Sequence, residues 1–280
     1  MAISGGKSIL RQRVVTALLI TPLAIAMILL LPTIVFAAII GVLCLIAAWE
    51  WSRLSGMRSR PLRAVLIGGV GLAMVALWIF RGTWAWWLLI AAGAAWWFVA
   101  IAWLRSYSFA AAPTRENTAI KLFAGGLTVL PAWCAMMTIH ESQPSPHTWA
   151  LYSLLLIWVA DTFAFLAGKR WGRNKLAPKI SPGKTIEGVY GALAGSALIA
   201  VIGGWLLHVR DGKLVGLVVL AMLSVALSIV GDLFESLIKR HANVKDSGAL
   251  FPGHGGVFDR LDSVFAALPV FALGKYLLGL

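Results

Sequence analysis

The sequence predicts an all-α, polytopic integral membrane protein of about nine transmembrane helices with a cytoplasmic N-terminus. Three observations carry that prediction. Of 280 residues, 60% are hydrophobic and 12% charged, with a mean hydropathy of +0.87. A soluble domain lies near about 45–50% apolar and about 25% charged. Apolar runs of helix-spanning length recur along the whole chain, and 24 Lys and Arg stand against 11 Asp and Glu, for a net charge of +13. These figures exclude a soluble enzyme, a disordered chain and a fibrous repeat.

A hydrocarbon core about 30 Å thick needs roughly 20 apolar residues of helix. Such runs fall near 14–31, 34–51, 64–80, 84–104, 121–139, 148–168, 188–208, 214–234 and 264–280. The first two are joined by a tight Leu31-Pro32-Thr33 turn. Lys7, Arg11 and Arg13 before an apolar run with Ala24-Ile25-Ala26 imitate a signal peptide. The run continues to Leu31 and another span follows at once, so a retained first helix is expected. With the N-terminus inside, the loops 52–63, 105–120, 169–187 and 235–263 are cytoplasmic. Of the 24 bases, only Arg81, Arg210, Lys213 and Lys275 then lie outside, which fixes the orientation. The positive excess is therefore topological and does not signal nucleic acid.

Tryptophans agree with that frame: Trp49, Trp51, Trp103 and Trp171 fall near the inner interface, and Trp84, Trp86, Trp87 and Trp149 near the outer one. His140, Glu141 and His147, around Pro144 and Pro146, read as a solvated outer turn. His208, Arg210 and Asp211 read as a helix end followed by a turn at Asp211-Gly212. Cys44 and Cys134 sit inside apolar runs without metal spacing and read as small buried hydrophobes. Residues 1–145 form an N-terminal transmembrane region of five helices. Residues 146–280 supply four helices and the cytoplasmic loops expected to hold the chemistry.

The acids are more informative than the bases. Asp161, Glu187, Asp232, Glu235, Asp246, Asp259 and Asp262 all fall on or near the cytoplasmic side of the C-terminal region. Asp161 lies about seven residues inside its span, hence roughly 10 Å deep. An acid there is costly unless it faces protein, water or a cation, which makes it a candidate functional group. At the end of the eighth span, Asp232, Glu235, Ser236 and Lys239 share one helical face. A Glu235–Lys239 pair at a snorkelling helix end explains two of these and leaves Asp232, one turn deeper, as a functional candidate. Beyond it, glycines around His254 permit close approach of a ligand, and His254 either touches a phosphate or caps the loop. Asp259 and Asp262, spaced i, i+3, can face one hard cation such as Mg²⁺ if a helix starts there. A magnesium ion beside Lys and Arg suits polyphosphate chemistry.

The loop from Gly168 to Gly188 carries six bases and a Ser-Pro-Gly-Lys-Thr turn just before a span. Gly183-Lys184-Thr185 echoes a phosphate-binding loop, but Pro178 stands where the first glycine is required and no preceding strand is expected. What survives is an anion site: Ser181, Lys184 and Thr185 with backbone N–H groups at a helix start. A purely topogenic basic loop is the alternative.

The run from Ser236-Leu-Ile-Lys-Arg240 through Lys245-Asp-Ser-Gly and Phe251-Pro-Gly-His-Gly-Gly-Val-Phe-Asp-Arg-Leu-Asp262 resembles the signature of the CDP-diacylglycerol synthases, or phosphatidate cytidylyltransferases. Ala160-Asp-Thr162 and Lys175-Leu-Ala-Pro-Lys-Ile-Ser-Pro-Gly-Lys-Thr-Ile-Glu-Gly188 look like the same family. Together these cover about 100 residues of the C-terminal half, and residues 1–145 match mainly in hydropathy. Phe163 and Phe251 depart from the family pattern at positions that bear on packing.

The resemblance implies the reaction CTP + phosphatidate → CDP-diacylglycerol + pyrophosphate at a bacterial-type inner membrane, with the active site facing the cytoplasm. It implies Mg²⁺, with a second cation and a homodimer left open, and metal-site candidates Asp161, Asp232, Asp259 and Asp262. Ser181, Lys184, Thr185, Arg240, Lys245 and His254 are the substrate-side candidates. Asp232, Lys239, Asp259 and Arg260 are the catalytic ones. An ion-coupled transporter using Asp161 and Asp232 is the main alternative, and it predicts paired broken helices in two symmetric halves, which the sequence lacks. A CDP-alcohol phosphotransferase would need a longer Asp-Gly-x-x-Ala-Arg pattern that is missing, and a non-catalytic scaffold leaves the buried acids unexplained.

Overall fold

The computed structural model describes residues 21–143, 145–250 and 255–280. Lys7, Arg11, Arg13, the start of the first span, Pro144 and His254 lie outside the described residues. A helix over Thr21–Leu30 (α1) leads into α2 (Thr33–Leu54), α3 (Arg60–Ile79), α4 (Trp84–Arg105), α5 (Arg115–His140) and α6 (Thr148–Trp171). Two short strands, β1 (Lys175–Ala177) and β2 (Ser181–Thr185), precede α7 (Ile186–Leu206), α8 (Asp211–His241) and α9 (Phe258–Leu277). Among the described residues, α2 to α8 are seven helices long and apolar enough to cross a membrane. The chain is an all-α polytopic membrane protein.

Local chemistry sets several ends. Pro32 is the N-cap of α2, where its missing N–H is harmless. Thr114 Oγ1 accepts from Asn117 N (3.2 Å) to start α5, and Thr185 Oγ1 accepts from Gly188 N (3.1 Å) to start α7. At 31 residues, α8 is about 45 Å long, against a hydrocarbon core of about 30 Å. It is therefore longer than the apolar layer needs by about ten residues. Glycines set the closest helix crossings, as small residues do where helices pack without a hydrophobic drive. A Cβ on Gly231 of α8 would lie 2.6 Å from the Asp262 carbonyl of α9, and one on Gly195 of α7 would lie 2.7 Å from the Phe163 ring of α6. Phe163 thus fills the space opposite a residue without a side chain.

Three expectations are corrected. The segment Lys175–Thr185 is an antiparallel hairpin, with Lys175 opposite Thr185 and Ala177 opposite Ser181, so Gly183-Lys184-Thr185 lies on β2 and β1 does precede it. The outer histidines are not a solvated turn. His140 is fully buried, stacked on Phe36 (4.2 Å) and His147 (4.0 Å), with its nitrogens 2.9 Å from Thr33 Oγ1 and 2.9 Å from the Ile28 carbonyl. His147 Nδ1 lies 3.0 Å from the Leu29 carbonyl, so the pair clamps the α1–α2 turn. Several tryptophans placed in interfacial belts point into the bundle instead. Trp51, Trp86, Trp103 and Trp149 are buried, whereas Trp84 and Trp171 are exposed. Trp51 stacks on Phe258 (4.8 Å) and Phe234 (5.8 Å) and donates to the Lys121 carbonyl (2.7 Å), because a buried indole N–H needs a partner. Cys44 and Cys134 are buried free thiols.

Candidate active site

The C-terminal end of α8, the first turns of α9 and the middle of α6 converge on one polar cavity of about 450 Å³. From α8 come Asp232, Glu235, Ser236, Lys239 and Arg240; from α9, Asp259, Arg260, Asp262 and Ser263; from α6, Trp158 and Asp161. Lys245 and Asp246, from the connection between α8 and α9, complete the wall. The helical repeat explains the α8 set, since residues three and four apart share a face.

Lys239 is the hub. Its Nζ sits 2.8 Å from Glu235 Oε2 and 2.7 Å from Asp259 Oδ1. Asp259 is held on both oxygens: Oδ2 accepts from Gly256 N (2.7 Å) and Ser247 N (2.8 Å), with Ser247 Oγ at 3.0 Å. Glu235 is almost fully buried, and its Oε1 has no hydrogen-bond partner among the described residues. A buried carboxylate oxygen without a donor is costly. Asp262 is buried, with Oδ1 accepting from Ser263 N at 2.7 Å.

A second cavity of about 370 Å³ adjoins the first and is lined by Gly183, Lys184 and Thr185 together with Asp161, Asp232 and Ser263. Lys184 Nζ lies 2.6 Å from Asp232 Oδ2, which draws the hairpin onto α8. Arg240 Nε donates to the Ile180 carbonyl (3.1 Å) and fastens the same hairpin. A third cavity, about 490 Å³ and mostly apolar, reaches up between α1, α2, α5, α6 and α9. Its polar end is made by Asp161 and Arg260, and Asp161 borders all three spaces.

The structure therefore places Asp161, Asp232, Lys239, Arg240, Lys245, Asp259, Arg260 and Asp262 around one cavity, and Lys184 and Thr185 around its neighbour. Ser181 lies on β2 opposite Ala177 and lines none of these spaces. The Thr185 oxygen is engaged as the cap of α7. The four aspartates do not form a ready ion cage. Among the described residues no three His, Cys, Asp or Glu converge tightly enough to hold a metal. The physical reason is visible: lysine ammonium groups already sit on Asp232 and Asp259.

Three participants escaped the sequence reading. Glu235 was read only as a partner of Lys239, and its contact with the Asp259–Lys239 pair needed the fold. Ser247, buried and bridging, and Glu50, at the far end of α2, had no local signal beyond an acid closing an apolar run.

A profile of the cytidylyltransferase family matches residues 11–277. The chain is 39% identical over 263 residues to a phosphatidate cytidylyltransferase from Pseudomonas aeruginosa, covering 94% of this chain and 96% of that protein. It is 32% identical over 284 residues to the phosphatidate cytidylyltransferase of Haemophilus influenzae, covering 94% and 97%. A phosphatidate cytidylyltransferase from Staphylococcus aureus is 41% identical over 137 residues, covering 48% of this chain and 51% of that one.

Proposed function

The chain belongs to the cytidylyltransferase family, and from that membership we propose that it transfers the cytidylyl group of CTP to phosphatidate, giving CDP-diacylglycerol and pyrophosphate for phospholipid synthesis. The observation that carries the reading is the junction at Asp161 and Arg260, where a polar, charged cavity meets an apolar one. A lipid phosphate at that junction can leave its acyl chains in the apolar space while CTP approaches through the charged one. The ion-coupled transporter reading gains no support from the family or from this geometry.

In the reaction, a phosphate oxygen of phosphatidate forms a bond to the α-phosphorus of CTP. The bond from that phosphorus to the α,β-bridging oxygen breaks, and pyrophosphate leaves with the electron pair. The attacking phosphate is already an anion near pH 7, so no strong base is needed. Catalysis is then mainly positioning and charge neutralisation. Arg260 faces the lipid phosphate, and Lys184, Lys239 and Lys245 surround the triphosphate with positive charge.

The wall is also rich in carboxylate oxygens, the donor type a hard cation prefers. Lysine ammonium groups stand on two of them, at the places a cation would take. No three of these carboxylates converge as they stand among the described residues; Asp161, Asp232 and Asp262 would hold Mg²⁺ only once a bound triphosphate draws Lys184 off Asp232, with Asp259 engaged by Lys239 beside them. When bound, the ion supplies charge neutralisation on the triphosphate. The acids cluster at the end of the bundle that carries most of the bases, which supports an inner-membrane enzyme with its site toward the cytoplasm.

The test is direct. Purified protein in detergent receives CTP, phosphatidate and Mg²⁺, and lipid-linked CDP is measured. Product is expected with Mg²⁺ and not after chelation, and Asp259→Asn should lower turnover at least about 100-fold. No product across metal conditions overturns the reading, and near-normal turnover of Asp259→Asn overturns the role given to that carboxylate.

A further inference from the structure

Glu50 lies near the C-terminal end of α2, between Trp49 and Trp51, and is only 6% exposed. A buried carboxylate demands partners, yet it forms no salt bridge among the described residues. Its partners are instead Ser247, in the connection between α8 and α9, and the start of α9, the helix that carries Asp259. Oε1 accepts from Val257 N (3.1 Å), while Oε2 accepts from Phe258 N (2.8 Å) and from Ser247 Oγ (2.8 Å). Val257 and Phe258 begin α9, and no side chain of α9's own N-cap serves that end. The first N–H groups of a helix have no intrahelical acceptor and carry its positive dipole end, so a forked anion there is well matched.

Two further features show that the seat is built for this carboxylate. A Cβ at Gly248 or at Gly256 would overlap the Glu50 carboxylate, so both positions admit it only as glycine. One turn along α2, Arg53 Nη2 donates to the Ser247 carbonyl (2.6 Å), a second tie to the same segment.

The connection to chemistry runs through Ser247. Its Oγ lies 2.8 Å from Glu50 Oε2 and 3.0 Å from Asp259 Oδ2, and a hydroxyl has one proton to give. Glu50 takes the shorter position, which leaves Asp259 Oδ2 to the backbone N–H groups of Ser247 and Gly256 and Oδ1 to Lys239. We infer that Glu50 is a positioning residue for cytidylyl transfer: from the N-terminal half of the chain it seats Ser247 and the start of α9, and thereby fixes Asp259 against Lys239 at the reacting end of the cavity.

The inference rests on the proposed reaction for its kinetic arm alone. Glu50→Gln keeps the volume but puts an amide NH₂ against an N–H or O–H donor. Hydrogen exchange followed by mass spectrometry on the full-length protein should show faster exchange in peptides covering 245–250 and 255–260, with α3 and α4 unchanged. Turnover per folded molecule should fall on the order of 30- to 100-fold, since a shift of about 1 Å in a positioned group can lose that much. KM for CTP should stay within threefold. Placed in a Ser247→Ala background, Glu50→Gln should lose much less additional turnover, because the shared link is already cut.

Unchanged exchange at 245–260, a turnover within twofold of wild type, or losses that multiply in the double variant would each overturn the inference. If Glu50→Gln does not fold, Glu50→Asp, which keeps the charge but falls one methylene short, is read against the same criteria. A wild-type protein that makes no lipid-linked CDP would sink the reaction, and the exchange measurement would still decide the role of Glu50.

Discussion

Removing the Lys239 ammonium by Lys239→Met leaves Glu235 and Asp259 facing each other without a counter-charge. The lysine side chain is 15% exposed, and those of its two partners are 1% and 6% exposed, so solvent can do little to screen the repulsion. At an effective dielectric of about 20, each contact at 2.7–2.8 Å is worth about 6 kcal/mol of Coulomb attraction. Desolvation of the buried ammonium offsets much of that sum, and breaking such a pair leaves a net loss of about 3–5 kcal/mol. For a chain of this size the melting midpoint in detergent should fall on the order of 10 °C. Lys239→Met/Glu235→Gln removes one of the two stranded charges and should recover at least half of the loss. Tryptophan fluorescence melts of the three proteins, at one detergent and salt concentration, check this. A midpoint for Lys239→Met within about 2 °C of wild type, or a double variant no more stable than the single, would refute the reasoning.

Gly231→Val should force α8 and α9 apart, because even a Cβ would lie 2.6 Å from the Asp262 carbonyl. Overpacking of this kind destabilises by about 1–3 kcal/mol, and turnover should drop more than stability, read by assay and melt on the same sample. His140→Ala should do the reverse. It removes a buried ring stacked between Phe36 and His147 and lowers stability by about 2–3 kcal/mol, with KM for CTP unchanged in a steady-state assay.

The membrane spans were legible because each must present about 20 apolar residues to lipid, a demand that leaves a plain trace in sequence. The acids of α8 were legible as a face because Asp232, Glu235 and Lys239 obey helical spacing. Other features carried no such trace. The hairpin at Lys175–Thr185 is short, basic and interrupted by prolines, so no alternation of apolar and polar residues announced it. His140 sits beside Glu141 and two prolines and looks like a turn, and its burial depends on Phe36 and Ile28, more than 100 residues earlier. Glu50 reads as an ordinary charged end to an apolar run. Its three donors lie 197 to 208 residues away, beyond any local pattern.

That separation has a consequence for how the protein is made. Glu50 leaves the ribosome 208 residues before Phe258, the farthest of the groups that will satisfy it. At about 5–20 residues per second, roughly 10–40 s pass before its seat exists. Through that interval α2 carries an acid whose final place is dry, so it must wait at the hydrated membrane surface while later helices insert. A nascent chain that stops before α9 keeps an unmet charge in its first half, which distinguishes an abandoned product from a finished one while the C-terminal chemistry is still unformed.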